Sequence, residues 1–121
     1  MIDNGRLRMK SYQGILYCEA YMDDEFSLDD LASMINEIRK NYNSYSDVIL
    51  KKVGTYSVAL DAQLKLSRKV KEFRNFVYLV DSDVKKASAE YAAASYMNPY
   101  NTRVATTIED AFTMLSEIAN G

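Results

Sequence analysis

With 121 residues, 48% of them hydrophobic and 26% charged, the chain suits a single globular domain spanning 1–121 that buries its own core without a disulfide or metal. A formal net charge of −2 argues against a general nucleic-acid binder, and a lone cysteine excludes an intramolecular disulfide. The absence of histidine removes the commonest general base, zinc ligand and thiol activator.

Residues 6–10 alternate, with Leu7 and Met9 on one side and Arg6, Arg8 and Lys10 on the other. This predicts an edge strand with a basic solvent face. Ser11, Tyr12, Gln13 and Gly14 form a turn in which glycine is free to take positive φ. Residues 15–22 are apolar on both faces and predict an inner strand, antiparallel to the first. Cys18 lies in that run and is expected to be a buried, inert thiol. Asp23, Asp24 and Glu25 follow as an acidic loop. Three acids ahead of a helix favour its positive end; a metal site is the alternative reading.

Ser27 and Asp30 have the spacing of a short capping box. After them Leu28, Leu31, Ile35, Ile38 and Tyr42 recur at helical spacing, opposite a polar face. Residues 47–53 form a third strand, Gly54, Thr55 and Tyr56 turn the chain, and Ser57 is placed to cap a second helix running to Phe73. Ala59, Ala62, Leu66, Val70 and Phe73 share its core-facing side. Leu60 and Leu64 fall elsewhere, beside Lys71, and with Ser57 they make a candidate partner-contact face.

Residues 75–80 are apolar on both faces, as in a central parallel strand covered by helices. Asp81, Ser82 or Asp83 caps a third helix carrying Val84, Ala87, Tyr91 and Ala94, with alanines also at 89, 92 and 93; Asn98 and Pro99 stop it. Residues 103–105 are a short fifth strand. Thr107 then caps a last helix with the buried stripe Ile108, Ala111, Phe112, Leu115 and Ile118. The order is β-β-α-β-α-β-α-β-α, which predicts an α/β domain: a mostly parallel five-stranded sheet with an N-terminal hairpin and four helices.

Chemistry-bearing motifs are sparse. There is no Gly-rich phosphate loop, no cysteine pair and no nucleophile motif, so neither a cofactor nor a metal nor a catalytic centre is expected. Residues 51–86 hold nine Lys and Arg against four acids, read as a solvated face in preference to a phosphate-binding patch. Ten tyrosines suit amphipathic packing at the core margin, with a tyrosine-lined ligand pocket as the alternative.

Short stretches along nearly the whole chain resemble STAS-like domains. These are Gly14 to Glu19 (GILYCE), Phe26 to Asp30 (FSLDD), Asn98-Pro99, Thr102-Arg103, Thr107 to Ala111 (TIEDA) and Leu115, together with the strand-turn-serine-helix unit at 48–73. The family includes the anti-sigma-factor antagonists and the tails of sulfate transporters, with a SpoIIAA-like fold. More closely, the chain resembles an uncharacterised group of small bacterial STAS-like proteins. In the antagonists, a serine at the start of the second helix is phosphorylated within a pattern close to Asp-Ser-Ser-Gly-Leu. The resemblance places Ser57 and Leu60 at the matching positions. Tyr56 replaces a small polar residue there, Ala59 replaces the glycine, and Lys51-Lys52 stand where an aspartate is frequent.

The resemblance and the missing chemistry together imply a non-enzymatic regulatory module, and with no apolar leader-like stretch at Met1 to Gly5 and no membrane-length run it is expected in the cytoplasm. It would act on a protein partner or a second copy of itself, as a homodimer, and not on nucleic acid or a membrane. A small apolar-ligand-binding domain is the alternative.

Overall fold

The computed structural model describes residues 2–12, 14–42, 46–69, 73–97 and 101–120. Its main sheet is built on the two-sided apolar runs. Strands β3 (Ile15–Ala20), β5 (Ser46–Lys52) and β7 (Phe73–Leu79) lie inside it and run parallel, with β8 (Thr102–Ala105) parallel at one edge. β2 (Leu7–Tyr12) pairs antiparallel with β3 around Gly14, whose φ of 81° is the left-handed conformation expected at that turn. The sheet has six strands and not five, because β1 (Ile2–Asp3) pairs antiparallel with β2 at Met9 and Arg8. The expected edge strand is therefore flanked along part of its length. A two-residue strand has no periodicity to read, which is why β1 is invisible in the sequence.

Direction of travel through the sheet decides the layers. From β3 to β5 to β7 to β8 the chain always steps to the next neighbour on the same side. Parallel crossovers are right-handed, so successive steps in one direction place their helices on one face. Accordingly α1 (Leu28–Tyr42), α2 (Leu60–Lys69) and α3 (Asp83–Ser95) share a face. Leu31, Met34, Ile38, Ala62, Leu66, Ala89 and Ala92 from these helices pack there on Leu16, Cys18, Val48, Leu50, Phe76 and Tyr78. α4 (Ile108–Asn120) follows the last strand and has the other face to itself. Its Ala111 and Leu115 cover Ile49, Val77, Leu79 and Ala105. Each large apolar side chain so buried contributes about 1.5–3 kcal/mol.

The helix starts follow local chemistry, with one exception. At α1 the capping box is closed both ways: the Ser27 N–H donates to Asp30 Oδ2 at 2.9 Å and the Asp30 N–H donates to Ser27 Oγ at 3.3 Å. Ser82 is the cap of α3, accepting from the Lys85 N–H at 3.2 Å, and Thr107 caps α4, accepting from the Asp110 N–H at 3.1 Å. Ser57 does not cap α2. It belongs to β6 (Ser57–Val58), which pairs parallel with β4 (Glu25–Phe26) as a second, two-stranded sheet. Backbone N–H groups of Ser57 and Ala59 donate across to the carbonyls of Asp24 and Phe26. That pairing competes with an extra helical turn and wins. α2 starts only after Ala59, whose carbonyl accepts the first helical bond, from Gln63 at 2.9 Å.

The buried stripes of all four helices also differ from the helical-wheel expectation: in α4, Phe112 is exposed. In α1, Leu28 is exposed and Met34 is buried. In α3, Val84 and Tyr91 face solvent while Ala89 and Ala92 face the sheet, because small side chains let the helix backbone sit close. α2 ends at Lys69 and Phe73 opens β7, so Phe73 is a strand residue and not the last turn of the helix. Val70 and the stop at Asn98 and Pro99 lie outside the described residues.

The acidic loop stitches the N-terminal strands to α1 in place of acting on a helix end. Arg6 Nε donates to Asp30 Oδ1 at 2.8 Å, Nη1 to Asp24 Oδ2 at 3.0 Å, and Nη2 to the Glu25 carbonyl. These bonds hold the Asp24 carboxyl below its usual range and push the Arg6 guanidinium further up. Asp23 Oδ1 accepts from both the N–H and the hydroxyl of Thr55, tying the loop to the turn after β5.

Two outcomes follow from this packing. Gly54 lies so close to the 21–22 backbone that an added Cβ would stand 1.9 Å from the Met22 carbonyl oxygen. Gly54→Ala should therefore lower the unfolding free energy by about 1–3 kcal/mol or more, measured by urea titration; a neutral effect would contradict the close approach. Cys18 is wholly buried, and burial, with Glu19 and Asp30 nearby, pushes its thiol up to about 12. Labelling by a thiol reagent in native buffer should proceed only at the rate of protein opening, against rapid stoichiometric reaction for an accessible thiolate.

Candidate functional site

The residues singled out in the sequence occupy the α1–α2–α3 side of the molecule. Ser57 is exposed on β6. Leu60 and Leu64 sit one turn apart on α2 with 71% and 55% of their surfaces exposed, while Ala62 and Leu66 of the same helix are buried. Exposed Asp61, Lys65 and Arg68 border them. Lys71 lies outside the described residues. Ser57 thus stands three residues before Leu60, beside the leucine face but not as part of the helix.

Beneath α2 lies a group of aromatic side chains not expected as a unit. Phe26, Tyr56, Phe76, Tyr78 and Tyr96 enclose a cavity of about 10 Å³, roughly the space of one water. The Phe26 and Tyr56 ring centroids are 5.8 Å apart, and those of Phe76 and Tyr78 are 4.9 Å apart. Tyr78 and Tyr96 share a hydrogen bond through their hydroxyls. The buried Tyr56 hydroxyl has no hydrogen-bond partner among the described residues. Burial drives the Tyr78 and Tyr56 hydroxyls well above the ordinary tyrosine value and Tyr96 up to about 12.

Lys52 closes this group. Period-two alternation along β5 puts it on the same side as Val48 and Leu50, and only 5% of its surface is exposed. Its Nζ lies 4.0 Å from the centroid of the Tyr56 ring and 6.0 Å from that of Tyr78. Among the described residues no carboxylate pairs with it, and neighbouring Lys85 is engaged with Asp81 at 3.0 Å and with the Val53 carbonyl at 2.9 Å. Burial first, and Lys85 second, pull the Lys52 amine down to about 8. The ring faces offset part of the cost of the buried cation.

On the other side of the sheet, α4 covers β7 and β8, and Ile15 and Tyr17 of β3 lie half-buried at the margin of its core. A cleft of about 590 Å³ opens there, at the C-terminal ends of the parallel strands. Tyr17, Leu79, Ile108 and Phe112 give it an apolar lining, and Lys10, Lys51 and Lys52 line it as well. Lys52 ends β5 at the border of the cleft, but its amine lies on the opposite side of the sheet, against Tyr56 and Tyr78. The sequence marks these lysines only as parts of a solvated basic face and, for Lys51-Lys52, as a departure from the STAS-like pattern. The available signal was the alternation Val48, Leu50, Lys52, which places a lysine at a core-facing position.

The chain matches no protein-family model and no curated protein. Among solved structures it is similar to an uncharacterized protein of the DUF3478 family with a SpoIIAA-like fold from Shewanella loihica PV-4. The TM-score is 0.62 at 16% identity, over 95% of this chain and 98% of that one. The chain therefore has a SpoIIAA-like fold, as the STAS-like resemblance implied.

Because the folded amine of Lys52 is depressed from 10.5 to about 8, its contribution to stability is fully present above about pH 10.5 and lost as pH falls through about 8. Lys52→Met should accordingly raise the unfolding free energy at pH 7 by about 1–2 kcal/mol. The gain should vanish above about pH 10.5. Urea titrations of both proteins at the two pH values check this; a variant less stable at pH 7 would contradict it.

Proposed function

We propose that this SpoIIAA-like domain is a non-catalytic regulatory module of the cytoplasm that works through protein contacts made by α2. The observation that carries the reading is the pair Leu60 and Leu64, exposed and in register on a helix whose core stripe is already supplied by Ala62 and Leu66. Single exposed leucines are ordinary, but two adjacent ones make a small apolar ridge. Lys65 and Arg68 border that ridge, so the fitting partner is a protein surface with an apolar groove and an acidic rim.

Ser57 gives this face a switch position. A phosphate there would lie near the positive end of α2 and would repel an acidic rim, favouring release of the partner. Lys71 continues the same basic character in sequence. The alternative of an apolar ligand inside the tyrosine group ranks second. At about 10 Å³ that cavity is closed, and a ligand would have to part α2 from the sheet.

Changing Leu60→Glu together with Leu64→Glu tests the reading. Both side chains are exposed, so the fold should survive with stability changed by about 0.5 kcal/mol per site. Native mass spectrometry of protein purified from its own host should show an associated protein chain, identical or different, that the double variant loses. A folded double variant with unchanged association would remove α2 as the contact.

A further inference from the structure

The aromatic group beneath α2 contains two polar groups that lack an acceptor. Among the described residues no carboxylate pairs with the buried Lys52 amine, which rests on the ring faces of Tyr56 and Tyr78 at 4.0 Å and 6.0 Å from their centroids. Tyr56 is 6% exposed, and its buried hydroxyl has no hydrogen-bond partner among the described residues. Both residues line one cavity, together with Phe26, Val58, Tyr78 and Tyr96. The nearest polar neighbours are engaged elsewhere: the Tyr78 and Tyr96 hydroxyls with each other, and Lys85 with Asp81 and the Val53 carbonyl. The cavity lies on the core side of α2, away from Leu60 and Leu64, so what fills it is a separate question from the α2 contact.

Either feature by itself has ordinary structural explanations. Together they form a donor set. The ammonium offers N–H groups and the phenol offers an O–H at the ring edge, where the aromatic quadrupole is positive. The amine sits over the face of the Tyr56 ring and not beside its hydroxyl, so the two do not satisfy one another. What both lack is an acceptor with negative charge, since an unpaired buried cation is costly. The cavity sets the size of that acceptor. At about 10 Å³ it takes one water-sized sphere and has no room for a carboxylate, phosphate or sulfate. Its other walls are largely apolar, which disfavours a strongly hydrated ion such as fluoride. A water would complete the hydrogen bonds but leave the lysine charge uncompensated; a larger halide does both.

We propose that the cavity beneath α2 is a binding site for one monatomic anion, chloride or bromide, held between the Lys52 ammonium and the Tyr56 hydroxyl. The ion neutralises the lysine and gives the hydroxyl its acceptor. Lys52 ends β5 of the main sheet, while Tyr56 directly precedes β6 of the small one, so the bound ion ties the two sheets together where α2 begins. Binding needs the charged amine. It is therefore strongest below about pH 8 and is lost as pH rises through and above that value. The other titratable groups around the site are Lys85 of α3, paired with Asp81, the thiol of Cys18, and the hydroxyls of Tyr56, Tyr78 and Tyr96; burial raises the thiol and all three hydroxyls.

The test follows the NMR line width of chloride on addition of the full chain, at constant ionic strength in gluconate. The protein should broaden the chloride line at pH 7, bromide should reverse the broadening by competition, and raising the pH to about 9.5 should remove most of it. Tyr56→Phe keeps the ring and deletes only the hydroxyl; it should weaken chloride about threefold or more. Lys52→Met should abolish the bromide-sensitive broadening. Urea titration gives a second reading: at ten times the half-saturating chloride concentration the folded-to-unfolded ratio of the native chain should rise about tenfold over chloride-free buffer, and that of Lys52→Met should not. Absence of bromide-sensitive broadening would overturn the proposal. So would broadening unchanged in both variants, which would mean an adventitious ion only, at surface lysines. Tyr56→Phe decides the matter even if Lys52→Met does not fold.

Discussion

The handedness of parallel crossovers governs this molecule. Three consecutive steps in one direction, β3 to β5 to β7 to β8, leave no choice of side for the connecting helices. One face of the sheet receives three helices and the larger core, and the other receives α4 alone. A sheet six strands wide cannot be covered by one helix, so Ile15 and Tyr17 of β3 are only half-buried at the margin of α4. The cleft is a consequence of topology before it is a matter of any side chain.

The end of the sheet where the cleft opens is tied by several long-range bonds. Arg6 gathers Asp24, the Glu25 carbonyl and Asp30, and so fixes the start of β2 against the cap of α1. Gly54 passes over the Met22 carbonyl with no room for a side chain, and both Val53 and Gly54 donate to the Ala20 carbonyl. The small β4–β6 sheet then locks the following turn and delays α2. These constraints hold the end of β5, and with it Lys51 and Lys52, in place. Lysine side chains are otherwise flexible, and their use in recognition depends on such a frame.

Lys52 belongs to the aromatic group beneath α2. Its stem runs along the core side with Val48 and Leu50, and its amine rests on Tyr56 and Tyr78. The unsatisfied Tyr56 hydroxyl lies in the same group. An interior optimised for stability alone would have neither a lone cation nor an orphan hydroxyl there, and sites that break local rules in this way are where function is concentrated. The α2 leucines present the opposite case, apolar groups left in water on a helix that has no packing use for them.

Much of the architecture was legible in the sequence. Continuous apolar runs marked β3, β5 and β7 as inner strands, because a strand covered on both faces shows no alternation. Ser27 with Asp30, and Thr107, marked helix starts, since caps are local chemistry that survives in any tertiary context. The burial of Cys18 followed from its place in a continuous apolar run, and the exposure of Leu60 and Leu64 from helical period. Tertiary structure decided the rest. It moved Ser57 from a helix cap to a strand, through backbone bonds to residues about thirty positions earlier in the chain. It turned α3 so that alanines and not Val84 or Tyr91 meet the sheet, because close approach outweighed side-chain size. Lys10, Lys51, Ile108 and Phe112 come from three separate elements. Their meeting in one cleft required the strand order and the side taken by each helix, neither of which any local pattern encodes.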